Sequence, residues 1–192
     1  GGHTLLPTLK HRLAQPSDVV DISQISELHS ISNEENVIVI GAATKHVDVS
    51  NSKDVLRYIP GLAALAGGIG DPQVRNCGTL GGSIANNDPA ADYPAALLAL
   101  DATIITDRRE IPAEKFFVDM FETALNDDEI ITSVKFPKPK KSGYSKFPNP
   151  ASRYAIVGVF VTQTANEVKV AVTGAGPCVF RARKIEEALK GS

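Results

Sequence analysis

Residues 69–85 read IGDPQVRNCGTLGGSIA and lie within a longer glycine-dense segment, residues 67–83. The segment has little of the periodicity of a helix or a strand, so we predict a loop there. A loop of about this length inside a compact domain usually has a function. Its last part places paired glycines beside hydroxyl residues, in the order Gly78-Thr79-Leu80-Gly81-Gly82-Ser83.

The amino terminus carries a second motif of the same kind, Gly1-Gly2-His3-Thr4-Leu5-Leu6-Pro7. Glycine lets the backbone approach a phosphate closely and adopt positive φ, so that successive N–H groups can converge on one anion. Thr4, Thr79 and Ser83 can add hydroxyl donors. Together the two motifs predict a surface for a diphosphate, although each motif alone could be an ordinary turn.

The usual nucleotide-binding motifs do not account for such a surface. The chain has no Gly-x-x-x-x-Gly-Lys-Ser/Thr loop. Gly174-Ala175-Gly176 follows a strand-like run, but Phe180 stands where a dinucleotide fingerprint needs its third glycine. We interpret this tripeptide as a turn at the end of a strand. A bound dinucleotide would therefore require a fold other than the doubly wound one.

Short strands and helices are predicted around the motifs. The strand candidates are residues 37–40, 103–106, 129–136, 154–163 and 168–173, with a weaker one at 19–22. The last two long candidates form a plausible hairpin. The helix candidates are residues 90–100, 181–189 and two helices within 53–66 that are broken at Pro60. Residues 137–150 are rich in proline and lysine, which predicts a lobe boundary or an exposed connection.

Composition excludes several classes of function. The 192 residues carry a formal net charge of -2, which does not indicate a nucleic-acid-binding surface. No apolar run approaches the roughly 20 residues of a membrane helix. The cysteines, Cys77 and Cys178, are too few for a disulfide framework or an iron–sulfur cluster and favour a reducing cytoplasm. The histidines lack zinc-site spacing, so we expect no metal site in this chain.

The two glycine motifs resemble the FAD motifs of the medium, flavoprotein subunits of carbon-monoxide dehydrogenase and related molybdenum hydroxylases. Further runs extend the resemblance over nearly the whole chain: residues 41–44, 87–95 and 153–159. The resemblance implies an α/β (α+β), two-lobed FAD-binding domain of the xanthine dehydrogenase flavin-domain, or PCMH, type. Residues 1–137 would form the FAD-binding domain, and residues 138–192 would begin a C-terminal lobe that covers the flavin. Because the family's chains extend beyond both ends of this one, we expect a trimmed chain.

The resemblance also implies a set of FAD-binding residues. They are Gly1, Gly2, His3, Thr4, Leu5, Leu6, Ile69, Thr79, Gly81, Gly82, Ser83, Asn86, Asp92, Ile131 and Lys146. The motifs would hold the pyrophosphate, Ile69 and Ile131 would flank the isoalloxazine, and Lys146 would lie near the flavin ring. Each single residue has an alternative: Asp92 could cap a helix, the isoleucines could be core residues, and Lys146 could be a surface charge. No catalytic side chain is expected.

The resemblance implies a function in electron transfer. Substrate would be oxidised at molybdopterin in a large partner subunit, and electrons would pass through 2Fe-2S clusters of a small partner subunit to FAD in this chain. The complex would be a dimer of heterotrimers, with NAD, oxygen or quinone as acceptor. Two alternatives are a self-contained flavin oxidoreductase of the wider superfamily, with His3 as a candidate for covalent attachment, and a non-catalytic nucleotide-binding or assembly module.

Overall fold

A computed structural model describes residues 1–190, and Gly191 and Ser192 of the expected second lobe lie outside the described residues. The helices are α1 (Leu5–Lys10), α2 (His46–Asn51), α3 (Lys53–Tyr58), α4 (Pro60–Gly67), α5 (Pro72–Cys77), α6 (Leu80–Asn86), α7 (Tyr93–Ala99), α8 (Ala113–Phe116) and α9 (Arg183–Ala188), with a 3-10 turn at Ser26–His29. The strands are β1 (Ile31–Asn33), β2 (Val37–Gly41), β3 (Thr103–Thr106), β4 (Glu110–Pro112), β5 (Phe117–Asp119), β6 (Glu122–Thr123), β7 (Ile131–Pro137), β8 (Lys141–Pro148), β9 (Ala155–Gln163), β10 (Val168–Thr173) and β11 (Phe180–Arg181).

Two larger antiparallel sheets organise these elements, and β5 and β6 form a separate two-stranded sheet. The first has five strands in the order β1-β2-β7-β3-β4, and the second has four strands in the order β11-β10-β9-β8. In the first sheet Ile40, Val134 and Ile104 lie side by side on adjacent strands, and all three are buried. Such cross-strand apolar neighbours stabilise one face of a sheet. The mixed α/β fold expected from the resemblance is confirmed.

The core runs from the first sheet through the helices to the second sheet. Every residue of α7 is buried, and this helix packs against β9 and β10. Phe136 of the first sheet and Phe160 of the second belong to the same buried cluster. Burial of each such side chain contributes roughly 1.5–3 kcal/mol. The fully buried α7 explains why its sequence shows no polar face.

Most of the predicted elements are confirmed. The five main strand candidates are confirmed as β2, β3, β7, β9 and β10, although β7 begins at Ile131 and β9 at Ala155, later than predicted. The last two strands pair as an antiparallel hairpin. The two helices around Pro60 form, as do α7 and α9. Gly174 follows directly after β10 with a φ of 83°, as expected for a turn at the end of a strand.

The loop predicted at residues 67–83 is wrong, because α5 and the start of α6 lie within it. Asp71 accepts a hydrogen bond from the Val74 N–H at 2.9 Å, and Pro72 occupies the first turn of α5. Thr79 accepts from the Gly82 N–H at 3.2 Å and begins α6 in the same way. These N-caps stabilise helices despite the high glycine content, which favours a loop. The helices were not predicted because six or seven residues are too few to show periodicity.

Two further predictions need correction. Residues 137–150 contain β8, whose side chains alternate in exposure, instead of forming a connection throughout. β8 is an edge strand, where the missing N–H of Pro148 is tolerated. Residues 19–22 form no strand; Val19 and Val20 are exposed and have no neighbouring strand to pair with in the described part of the chain.

A charged cluster fixes the turn before β7. Arg109 donates from Nε to Glu129 Oε1 at 2.9 Å and from Nη2 to Oε2 at 2.8 Å. The Thr106 hydroxyl and the Asn126 N–H also donate to this carboxylate, at 2.7 and 3.0 Å. The Glu129 side chain is fully shielded from solvent. Three of these hydrogen bonds join the turn to the β3–β4 hairpin, and the one from Asn126 closes the turn itself.

This cluster predicts a pH-dependent contribution to stability. The hydrogen bonds from Arg109, followed by those from Asn126 and Thr106, lower the pKa of Glu129 from 4.5 to about 2. Because the folded pKa is below the unfolded one, the stabilisation is present above pH 4.5 and is lost as the pH falls toward 2. We expect Glu129→Gln to unfold at lower urea concentration at neutral pH and to show a weaker pH dependence in that acidic window. Urea titrations at several pH values measure both effects.

Glu110→Gln is the matched control, because Glu110 pairs with Lys135 on the surface. We expect this variant to keep the wild-type dependence of the urea midpoint on pH. An unchanged acid dependence in Glu129→Gln would contradict the role given to the cluster.

Candidate functional site

A cavity of about 760 Å³ lies between the two glycine motifs. Its size falls in the range of small-molecule and cofactor sites. Of the residues expected from the sequence, those that line it are Gly1, Gly2, His3, Thr4, Leu5, Ile69, Thr79, Gly82, Ser83, Asn86 and Asp92. The fold thus brings together two motifs that are separated by more than seventy residues in the chain.

Four of the expected residues do not line this cavity. Leu6 is exposed on α1, and Ile131 is buried in β7 as part of the core. Gly81 packs against Ala42, the residue after β2, and a Cβ atom added at Gly81 would lie only 2.6 Å from the Cβ atom of Ala42. Lys146 reaches the site indirectly, through Asp92. The core alternative stated for Ile131 thus matches its position in the structure.

The first motif presents unpaired backbone donors to the cavity. Gly2 has a φ of 78° and its carbonyl accepts from the Leu6 N–H at 2.9 Å, which begins the turn of α1. Within the described residues, the N–H groups of His3, Thr4 and Leu5 have no hydrogen-bond partner. Three consecutive N–H groups beside a glycine with positive φ can bind an anion.

The second motif contributes differently from the expectation. Five of its six N–H groups donate within the protein: Gly78 to the Val74 carbonyl, Leu80 to the Thr44 carbonyl, Gly81 to the Ala42 carbonyl, Gly82 to the Thr79 hydroxyl and Ser83 to the Thr79 carbonyl. These five groups are therefore not available to converge on an anion. What remains on this wall is the Thr79 N–H, which has no partner among the described residues, with the Ser83 hydroxyl, the Asn86 amide and the open surface at Gly82. The second motif thus offers one free backbone donor instead of the successive donors that were predicted.

A buried ion pair borders the cavity at Asp92. Lys146 Nζ lies 3.0 Å from Asp92 Oδ1, and the Tyr144 hydroxyl donates to the same oxygen. The Lys146 side chain is 10% exposed and that of Asp92 is 5% exposed, so neither charge is solvated. Asp92 precedes α7 but makes no capping hydrogen bond. The helix-cap and surface-charge alternatives therefore do not describe these two residues.

Burial and the neighbouring groups shift the pKa of Asp92 in opposite directions. Burial raises the pKa of Asp92, while the hydrogen bond from Tyr144 and the charge of Lys146 lower it. Burial and the charge of Asp92 raise the pKa of Tyr144, so its hydroxyl stays a donor. A Cβ atom at Gly158 would collide with the Tyr144 hydroxyl, so glycine in β9 makes room for this contact. Lys146 also donates to the Gly68 carbonyl at 2.8 Å and holds the loop before α5.

Several residues that line the cavity were not among the expected FAD-binding residues. They are Thr8, His46, Gly70, Val74, Gly78, Ala85, Asp88, Ala91, Ser152, Arg153 and Tyr154. All of them except Thr8, His46 and Ser152 lie in the segment 69–85 or in the runs 87–95 and 153–159, so the resemblance indicated these stretches without assigning the individual residues. His46 lies two residues after another run, residues 41–44, and the spacing of the histidines gave no signal for it. Arg75 donates to the Ile69 and Gly70 carbonyls and holds the loop before α5.

The residues that the structure describes contain no group of three or more His, Cys, Asp or Glu side chains placed to hold a metal ion. Cys77 and Cys178 are both free thiols. None of the helices within residues 1–190 combines the length and apolarity of a bilayer span.

Comparison with known proteins gives consistent matches. A family model described as the FAD binding domain in molybdopterin dehydrogenase matches residues 1–139. The chain is 36% identical to the carbon monoxide dehydrogenase medium chain of Hydrogenophaga pseudoflava, over 94% of this chain and 67% of that one. It is 36% identical to the nicotine 6-hydroxylase medium subunit of Paenarthrobacter nicotinovorans, over 100% and 71%.

Solved structures show the same similarity in three dimensions. A carbon monoxide dehydrogenase from Hydrogenophaga pseudoflava that lacks the Mo-pyranopterin moiety superposes with a TM-score of 0.92 at 36% identity, over all of this chain and 71% of the other. Quinoline 2-oxidoreductase from Pseudomonas putida 86 superposes with a TM-score of 0.94 at 27% identity, over 100% and 70%.

Proposed function

This chain belongs to the family of FAD-binding domains in molybdopterin dehydrogenases, and from that membership we propose that it is the electron-transfer subunit of a molybdenum hydroxylase, with FAD bound between its two glycine motifs. The observation that carries this proposal is the cavity that both motifs line. The family match includes both motifs, and the dehydrogenase relatives cover nearly the whole chain.

The residues around the cavity fit FAD. The unpaired N–H groups of the first motif suit the diphosphate, as do the hydroxyl of Ser83 and the side-chain-free surface at Gly82. A hydrogen bond to a charged group contributes roughly 1.5–3 kcal/mol, so a few such donors can hold a diphosphate without a basic side chain in contact. Ile69 offers an apolar wall for a ring system.

The proposed site consists of the expected residues that line the cavity, and three other expected residues support it from behind. Gly81 sets the distance between α6 and β2, Lys146 holds Asp92, and Leu6 packs on Gly2. Ile131 supports the sheet beneath them. FAD supplies the one- and two-electron redox chemistry, while the protein supplies orientation and a defined charge distribution. The buried Lys146 places a cation behind the carboxylate that faces the cavity.

We further propose the partners and location that the resemblance implied. The relatives are named as medium chains or medium subunits, which supports one smaller and one larger partner subunit. The proposed partners are a small iron–sulfur subunit and a large molybdopterin subunit, assembled as a dimer of heterotrimers. Electrons would pass from the clusters to FAD and then to NAD, oxygen or quinone. A cytoplasmic location agrees with two free thiols. Residues 1–137 and 138–192 are proposed as the two lobes, since β7 ends at Pro137 and the second sheet begins at Lys141.

Titration with FAD tests the proposed function. We expect the purified chain to bind one FAD per chain, with quenched flavin fluorescence, and to release it on denaturation. Removal of this subunit from its native complex should remove that FAD from the complex. Absence of flavin bands after FAD addition would contradict the proposal and favour a module without a flavin. Flavin that stays attached after denaturation would favour the self-contained oxidoreductase instead.

A further inference from the structure

His46 occupies a confined position at the wall of the cavity. It is the first residue of α2, and its N–H donates to the Gly78 carbonyl at 3.1 Å. Its imidazole lies against Gly78, where a Cβ atom would be 2.5 Å from Nε2 and 2.9 Å from Cδ2. Gly78 has a φ of -65° and a ψ of 147°, which any residue can adopt. The glycine is therefore needed for the space that the imidazole occupies.

Both nitrogen atoms of this imidazole need a partner. His46 is 4% exposed, and its Nδ1 is buried without a hydrogen bond in the described part of the protein. Tyr93 is fully buried, and its hydroxyl also has no partner among the described residues. The two rings lie 5.4 Å apart between centroids, tilted by 49°. Buried polar groups in native proteins are nearly always paired, so these two unpaired atoms call for an explanation.

We propose that His46 is a further FAD-binding residue, whose Nε2–H donates to an oxygen of the diphosphate while the Tyr93 hydroxyl serves Nδ1, directly or through one ordered water. This inference rests on the proposed FAD site and adds one donor and one positioning residue to it.

The proposed partners of the two His46 ring nitrogens, Nδ1 and Nε2, require the same tautomer of the imidazole. An imidazole nitrogen is a better acceptor than a phenol oxygen, so the Tyr93 hydroxyl donates to Nδ1. The proton of the neutral ring is then on Nε2. Phosphate oxygens only accept hydrogen bonds, so they also require a proton on Nε2. Burial, reinforced by the nearby charges of His3, the amino terminus and Arg75, lowers the pKa of His46 to about 4, so the ring is neutral near pH 7.

The position of His46 favours the diphosphate over the two ends of FAD. The amino-terminal nitrogen of Gly1 donates to the Cys77 carbonyl at 2.6 Å, which joins the first motif to the residue before the second. The next carbonyl, that of Gly78, accepts from the His46 N–H. The imidazole thus lies where the two glycine motifs meet, and these motifs are the proposed diphosphate cradle.

Replacement of His46 by side chains of different length tests whether its Nε2–H donates a hydrogen bond to FAD. Leucine removes it, asparagine offers a polar group near the position of Nδ1 only, and glutamine places an amide N–H near the position of Nε2. We expect His46→Leu and His46→Asn to weaken FAD binding roughly 10- to 100-fold, as for loss of a hydrogen bond to a charged group. His46→Gln should recover most of the affinity. His29→Leu, at an exposed position away from the cavity, is the control.

Titration with ADP identifies the group that His46 contacts. ADP carries the diphosphate without the flavin, so His46→Leu should weaken ADP and FAD binding by similar factors. Weakened binding of FAD alone would place the contact on the flavin half and overturn the assignment to the diphosphate. Equal affinity of wild type and all three variants for FAD would overturn the proposal altogether.

The tautomer of His46 provides a measurement on the wild-type chain, which does not depend on the variants folding. We expect ¹⁵N chemical shifts to show a proton on Nε2 and a bare Nδ1 in the FAD-free chain. Tyr93→Phe should shift this balance and weaken FAD binding less than His46→Leu. A proton on Nδ1 in the wild type would overturn the inference. A wild type with the expected tautomer but no affinity for FAD or ADP would refute the FAD site itself and, with it, the donor role of His46.

Discussion

Gly82→Val is expected to cause a large loss of FAD affinity while the chain stays folded. A Cβ atom at this position would lie 2.9 Å from the Thr79 hydroxyl, on the wall of the cavity. The two γ carbons of valine would extend into the space proposed for the diphosphate, and their χ1 freedom in a helix is small. We expect the dissociation constant for FAD to rise by about a hundredfold or more, equivalent to about 2.7 kcal/mol. Equilibrium titration by flavin fluorescence measures this change.

The fold should survive this substitution because Gly82 is exposed and has no positive φ. Displacement of the Thr79 cap should cost about 1 kcal/mol of stability, which urea unfolding can measure. Gly143→Val is the matched control, since no atom lies within 4 Å of a Cβ atom at Gly143 and valine is favourable in a strand. Wild-type affinity for FAD in Gly82→Val would show that the second motif does not face the diphosphate.

Lys146→Met is expected to produce the largest loss of stability, roughly 3–5 kcal/mol near neutral pH, because it leaves a buried carboxylate without its cation. Asp92 is 4% exposed and would keep the Tyr144 hydroxyl as its remaining strong partner. Lys146 also holds the Gly68 and Arg153 carbonyls, so the loop before α5 should loosen as well. Urea unfolding followed by circular dichroism measures the free-energy difference.

The pH dependence distinguishes lost charge pairing from lost packing in Lys146→Met. Burial raises the pKa of Asp92, and removal of Lys146 takes away one of the groups that oppose this rise. With the folded pKa above the unfolded one, the folded state is least penalised at low pH and loses stability as the pH rises through the folded pKa. The deficit of Lys146→Met should therefore be smaller in mildly acidic solution than at neutral pH.

Two further variants complete this test. Asp92→Asn combined with Lys146→Met should recover much of the stability and remove the pH dependence, because no buried charge remains. Lys141→Met, on the exposed side of the same strand, should change stability little. Two results would contradict an interdependent pair of Lys146 and Asp92. One is an unchanged stability of Lys146→Met, and the other is an equal loss of stability in Lys146→Met and in the double variant at every pH.

The errors in the sequence-based predictions share a cause. The glycines of residues 67–83 led to the prediction of a loop where two helices begin, because the helices capped by Asp71 and Thr79 have only six and seven residues and are too short for periodicity. The prolines of residues 137–150 hid β8, because an edge strand tolerates residues that a central strand does not. In both places local composition favoured a loop or connection. Helix capping at residues 67–83 and the edge position in the sheet at residues 137–150 produced helices and a strand instead.

The amino-acid sequence alone determined the long strands, the hairpin of β9 and β10, and the two glycine motifs that identify the family. These features depend on apolar periodicity and on local backbone freedom, and both can be read from neighbouring residues. Only the tertiary structure decided which donors face the cavity. Leu80 and Gly81 donate their N–H groups to the carbonyls of Thr44 and Ala42, which follow β2, and Tyr144 contacts Asp92 across 52 positions of the chain. Such pairings arise when distant segments pack together, and a linear pattern does not contain them.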